Sequence, residues 1–368
     1  MSGATSADAI SQPRPPARRV ALAGVAAFVL LAVWITLAIA LSLPLAGAGG
    51  GDAVLPSVAD VKHDGHPTTD LPRIGDFALR ADDFVEEPDT LGDYAALDAF
   101  VARQGEIAGR LRRGGVVVAS DGTSRPFVAA TRSLLDLPAA FWVTLFSGAG
   151  GLAIALWVWA LRPSEVATRY LAISGIGLAV SLLPAAVYIT RALAVDPALL
   201  TALMVLNHVG SLVFGCAMIA LFCVFPRRLI GPAGQIVLAL SGLALVVAEP
   251  MRLFGAPHGA YVAYVVMAAA IIALIAVQAR LVRRDPRDRA TLLWVGLSVV
   301  TGIGSWAALV IAYGFRGELA AMPEAYSFAC FFLIYLGLAL GVARFRLFDV
   351  VDRAFWVFFY GTGAILFL

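Results

Sequence analysis

The chain alternates long apolar runs with short polar joints, and one polar block interrupts the series after the first run. The runs cover residues 20–47, 138–161, 167–190, 198–225, 230–248, 258–279, 290–314 and 320–343. Each is close to or above the ~20 residues that a helix rising about 1.5 Å per residue needs to cross a bilayer core. Eight spanning helices are therefore predicted: one at 20–47 and a seven-helix module over 138–343. Joints such as 162–169 and 191–197 are too short to hold another folded domain. A last apolar run, 357–368, is too short to span and is expected to begin a further helix. The sequence is accordingly expected to be the N-terminal part of a longer protein.

The first run imitates a secretory signal, because basic residues precede it and the small-residue stretch Leu45 to Gly51 follows. A signal core is about 7–15 residues, shorter than this run, so an uncleaved anchor is the better reading. Residues 1–19, rich in Ser, Pro and Ala towards their start, read as an unstructured tail.

The polar block, 48–137, begins as an aperiodic linker and becomes domain-like from Leu71. Phe77-Ala78-Leu79 suggests a short strand. Tyr94, Leu97, Phe100, Val101, Ile107 and Leu111 recur at helical spacing up to Gly114-Gly115, which ends the helix. Val116 to Val118 and Phe127-Val128 flank Asp121-Gly122, a hairpin pattern. A small α+β domain with a thin core follows, expected to lean on the helical module for stability. Its acidic turn, with Asp82, Asp83, Glu86, Glu87 and Asp89, reads as a solvated loop whose carboxylates favour the start of the next helix.

Charge orients this arrangement. Fifteen arginines fall on one side of the stack: 14, 18, 19, 162, 169, 227, 228, 280, 283, 284, 287, 289, 344, 346 and 353. Short joints on the other side hold only Arg191, Arg252 and Arg316. The positive-inside rule places the fifteen and the N-terminus in the cytoplasm, and the block outside the inner membrane. With 60% hydrophobic and 14% charged residues, a soluble domain of this length is excluded. The basic edges suit anionic lipid headgroups, and nothing points to nucleic acid.

Chemistry is sparse. Cys216, Cys223 and Cys330 lie in apolar runs, which rules out a disulfide framework and leaves them as packing residues. His63, Asp64 and His66 read as solvated linker residues before a metal cluster. No cofactor fingerprint, phosphate loop or catalytic constellation is present, so no cofactor and no metal are expected. The helix centres carry no Asp, Glu, Lys or Arg, which weakens a transport reading. Asn207-His208 is the strongly polar pair at depth, and Glu249 closes the fifth run at its outer end. His208 can bond a neighbouring helix, line a ligand pocket or bind haem or metal; the first is the simplest reading. Asn207, His208 and Glu249 are the candidate ligand-binding residues.

Two segments carry a resemblance. Ala343-Arg344-Phe345-Arg346-Leu347-Phe348-Asp349-Val350 resembles the A-R-[FY]-R-L-F-D-[IV] segment near the end of the membrane regions of bacterial sensor histidine kinases. Leu221 to Pro226 is similar to their helix-ending L-F-x-x-F-P. One helix, a small external domain and a polytopic block resemble the competence quorum-sensing kinases, over about residues 70–360. Their external domain is related to PDZ, and residues 77–130 are similar to the later part of such a domain. The resemblance implies a sensory input module that relays an external or intramembrane signal, a small molecule or peptide, to a cytoplasmic kinase. It also implies homodimerisation and a response regulator as partner. The connector 344–356 would couple the signal through Arg344, Arg346, Asp349 and Asp352. This stretch holds no phosphoacceptor motif and no ATP lid, so the kinase core would lie beyond it. The alternative is a self-contained permease or membrane-embedded enzyme.

Overall fold

The computed structural model describes residues 15–47, 55, 71–119, 122–315 and 325–345. The fold is mostly helical: among the described residues, nine α-helices carry a small lobe at one end. The helices are α1 (Pro15–Ser42), α2 (Tyr94–Arg113), α3 (Ala139–Leu161), α4 (Val166–Ile189) and α5 (Pro197–Val224), then α6 (Pro232–Ala248), α7 (Ala260–Leu281), α8 (Pro286–Phe315) and α9 (Ala325–Phe345). Among the described residues, six helical stretches are long and apolar enough to cross a membrane: Arg18–Ser42, Ala139–Leu161, Val166–Ile189, Pro197–Val224, Pro257–Leu281 and Asp288–Ala308. Two of the eight expected spans are shorter apolar helices, Pro232–Ala248 and the stretch Ser327–Ala339.

Packing arranges six helices as a ring, each touching the next in the order α3, α4, α5, α7, α8, α9 and back to α3. Helix α1 lies outside the ring against α3 and α4, and α6 lies outside against α5. Helix α6 accordingly exposes Ile236, Val237, Leu240 and Leu243, a face suited to lipid. Helices α4 and α5 cross with their backbones in close approach. A Cβ added to Gly210 would lie 2.3 Å from the Ser181 backbone nitrogen and 2.6 Å from the Gly177 carbonyl oxygen. Only glycine permits this backbone approach. Pro184 sits inside α4, which continues through it to Ile189.

Among the described residues, the lobe is built on five antiparallel strands in the order β1-β5-β4-β2-β3, with β1 Pro44–Gly47, β2 Arg73–Ile74, β3 Phe77–Ala78, β4 Gly115–Val118 and β5 Ser124–Thr131. The expected hairpin is the β4–β5 pair, with Val118 opposite Ser124 and Gly115 opposite Phe127. Helix α2 spans the expected segment and buries Leu97, Phe100, Ile107 and Leu111; Asp93 caps it through a 2.8 Å bond from the Ala96 amide. One boundary differs from the sequence reading. The run 20–47 does not stay helical to its end: it leaves the helix after Ser42, and Pro44–Gly47 becomes strand β1, paired with β5 from Thr131 to Val128. Small residues suit an edge strand as well as a helix end, so composition alone could not separate the two. The pairing ties the exit of α1 to the strand that runs into α3.

Candidate functional site

The acidic turn between β3 and α2 forms the seam between lobe and ring. It was expected to be solvated, yet Asp83, Glu87 and Asp89 are buried. Two short 3₁₀ turns, Ala81–Phe84 and Pro88–Thr90, fold it inward. Asp83 stays within the lobe, where Arg103 grips it at 2.5 and 2.8 Å. Glu87 and Asp89 face the helices. The Tyr188 hydroxyl at the end of α4 donates to Glu87 Oε2 at 2.9 Å. His208 of α5 stands between Asp89 and Glu249: Nε2 lies 2.9 Å from Asp89 Oδ2, and Nδ1 lies 2.5 Å from Glu249 Oε1.

The three side chains are only 5–9% exposed. A neutral imidazole has one N–H and can donate to only one of two carboxylates. Serving both requires a proton on each ring nitrogen, or a proton on one of the acids. The ionic arrangement Asp89⁻–His208⁺–Glu249⁻ meets that requirement directly. One oxygen of each acid, Asp89 Oδ1 and Glu249 Oε2, is shielded from solvent and has no hydrogen-bond partner among the described residues.

Two cations from the joints complete the seam. Arg191, 1% exposed, donates to the carbonyls of Val85, Glu86 and Tyr188 and lies 5.6 Å from the Phe100 ring. Burial pushes its pKa down to about 10, against the opposing pull of the nearby Glu87 carboxylate. Arg252 makes a two-pronged ion pair with Asp98 of α2, at 2.6 and 2.8 Å, and lies over the Tyr94 ring at 4.8 Å. The pairing holds the Asp98 carboxyl below the usual carboxylate range.

The backbone at Arg252 explains how Glu249 is aimed. Leu253 N–H donates to Ala248 O and Arg252 N–H donates to Glu249 O, the two bonds that close a helix through a left-handed residue. Glycine usually occupies that position; here Arg252 does, at φ 57°. A non-glycine residue there costs on the order of 1 kcal/mol. The side chain's ion pair and ring contact with α2 offset that cost.

Below the seam the ring holds a partly open cavity of about 80 Å³. Glu87 and Asp89 form its roof. Ser181, Asn207, Ser211, Tyr261 and Tyr264 form a polar collar, and Phe214, Met267, Ile271, Trp306, Phe328 and Phe331 line the apolar remainder. Asn207 donates to the Ser181 carbonyl and hydroxyl at 3.1 Å, and Ser181 pairs with Ser211 at 2.9 Å, so the collar is organised within the ring. The Tyr264 hydroxyl, close to Ser211, has no well-formed hydrogen bond among the described residues.

The structure thus brings Asn207, His208 and Glu249 into one neighbourhood, with Asn207 on the cavity wall and the other two behind Asp89. Sequence reasoning missed Glu87, Asp89, Tyr188 and Arg191 as members of the site. The available clue was complementarity: an acidic turn and isolated arginines assigned to the same side of the stack. Arg344 closes the last turn of α9. Arg346, Asp349 and Asp352 lie outside the described residues, as do His63, Asp64 and His66. No group of three or more His, Cys, Asp or Glu side chains among the described residues could hold a metal ion.

At the opposite end of the ring, the L-F-x-x-F-P segment has a structural role. The Gln278 amide of α7, fully buried, donates to the carbonyls of Phe222 and Arg227 at 2.7 Å. Arg227 pairs with Asp285 and Asp288 beside α8. No protein-family model, curated protein or solved structure matches the chain.

Proposed function

We propose that this chain is the sensory input module of a transmembrane signalling receptor, and that the ring cavity is its ligand site. The observation that carries the reading is the shared roof. Glu87 and Asp89 belong to the lobe, yet they line a cavity whose walls are α4, α5, α7, α8 and α9. Occupancy therefore bears on lobe and helices together, and a ligand shifts a two-state equilibrium only by contacting the two states differently. The arginine asymmetry supports an orientation with the lobe outside a bacterial inner membrane and the N-terminus in the cytoplasm. Helix movement would then emerge at the end of α9, where the kinase-like segment 343–350 begins. A homodimeric histidine kinase with a response regulator as partner, and a PDZ-related ancestry of the lobe, belong to the same proposal and rest on the resemblance. The absence of charge from the helix centres argues against a permease.

The test uses spin labels at Arg125→Cys on the exposed hairpin and Ser164→Cys at the far end of α3, in the 368-residue chain in nanodiscs with its native cysteines replaced. Ala268→Trp fills the cavity and mimics occupancy. A changed label-to-label distance distribution supports the reading; an unchanged one removes it. Membrane-impermeant labelling of Arg125→Cys in whole cells tests the orientation.

A further inference from the structure

The cavity's charge and shape specify a ligand class. Three carboxylates, Glu87, Asp89 and Glu249, are buried in or just behind its roof. Among the described residues, the neighbouring cations are His208, which bridges two of them, and Arg191, whose hydrogen bonds go to backbone carbonyls. With all five ionised, these described groups carry one negative charge in excess. Asp89, which lines the cavity, keeps Oδ1 buried and without a partner among the described residues. A buried charged oxygen left unpaired is costly, and a donor that reaches it recovers that cost. Beneath the roof the lining changes from tyrosines to apolar and aromatic side chains, with Trp306 and Phe331 in contact at 5.7 Å between ring centroids.

We infer that the ring cavity binds an amphipathic monocation, its ammonium group donating to Asp89 Oδ1 under the lobe and its apolar body lying among Phe214, Trp306 and Phe331. The tyrosine rings of the collar add favourable faces for the cation. At about 80 Å³ the void is smaller than the roughly 300–1,000 Å³ of an ordinary small-molecule site, so binding must spread the apolar lining. An anion of the same shape would set its charge against the acidic roof, and a neutral isostere would leave the excess charge uncompensated. This inference rests on the cavity's being the ligand site proposed above.

The experiment measures saturable binding of three probes to the full chain in nanodiscs, with empty discs subtracted: 2-(1-naphthyl)ethylamine, 2-(1-naphthyl)ethanol and 1-naphthylacetate. The amine is expected to bind at least tenfold more tightly than the alcohol, and the acetate not to saturate. Asp89→Asn should bring the amine to the level of the alcohol. Because that substitution also touches the seam, Trp306→Ala serves as a second variant: it should weaken amine and alcohol alike while keeping the preference for the amine. Equal affinity for amine and alcohol, saturable acetate, no amine binding at millimolar concentration, or no effect of Trp306→Ala would each overturn the inference. The spin-label distances separate the two readings. Amine-selective binding without a change in distance leaves the ammonium site standing and removes the receptor reading. A change on cavity filling without amine selectivity removes only the ligand class.

Discussion

Replacing His208 with alanine removes the cation that touches both Asp89 and Glu249, and the structure sets the size of the consequence. Asp89 is 3% and Glu249 8% exposed, so neither can recover water without movement of the lobe or of the α6–α7 joint. Breaking a buried ion pair by deleting one partner costs about 3–5 kcal/mol, because the remaining charge stays desolvated. At about 1.4 kcal/mol per tenfold, that amounts to roughly two to three and a half orders of magnitude in the ratio of docked to undocked lobe. Leu97, buried where α2 meets the helices, reports undocking. With Leu97→Cys in a background free of native cysteines, maleimide labelling of the His208→Ala variant should be on the order of a hundredfold faster than in the parent. The triple variant His208→Ala, Asp89→Asn, Glu249→Gln leaves no buried charge unpaired and should label within about tenfold of the parent. Parental labelling in His208→Ala, or labelling of the triple variant as fast as the single, would refute the buried-charge account.

Four further outcomes are expected. Gly210→Val should abolish the native fold, since its Cβ would meet the Ser181 nitrogen at 2.3 Å; loss of the monodisperse peak after extraction is the readout. Ile107→Ala, at a fully buried position of the lobe core, should cost about 2–4 kcal/mol, seen as faster limited proteolysis of the lobe. Arg252→Gly relieves the left-handed backbone but loses the Asp98 pair and the Tyr94 contact, so Leu97→Cys labelling should increase; Asp98→Asn should produce a similar increase without changing the backbone strain. Gln278→Leu leaves the Phe222 and Arg227 carbonyls without their donor and should lower thermal stability by about 1–3 kcal/mol equivalent, while Leu97→Cys labelling stays at the parental rate.

Within the lobe, the sequence was legible where local chemistry was sufficient. Helix α2 could be read from Leu97, Phe100, Ile107 and Leu111 on one face, and the β4–β5 hairpin from its turn residues. Strand β1 was not, because Pro44–Gly47 owes its state to hydrogen bonds with β5, some 85 residues further along the chain. The acidic turn was misread for a related reason. Asp83, Glu87 and Asp89 in a polar stretch give no hint of burial until the arginine, tyrosine and histidine they meet arrive from α2, α4 and α5.

Hydrophobic length alone determined the class of fold, apolar helices with a polar lobe inserted after the first, while the arginine distribution carries the proposed orientation. These follow from properties that each segment carries by itself, such as the cost of placing polar backbone or charge in hydrocarbon. Only the tertiary structure decided that six helices close a ring, that the lobe's carboxylates roof the cavity, and that His208 bridges two acids distant in sequence. Those features depend on which surfaces meet. Pair contacts of that kind leave no periodicity in a single chain, and the same glutamate reads as solvated or buried according to its partner.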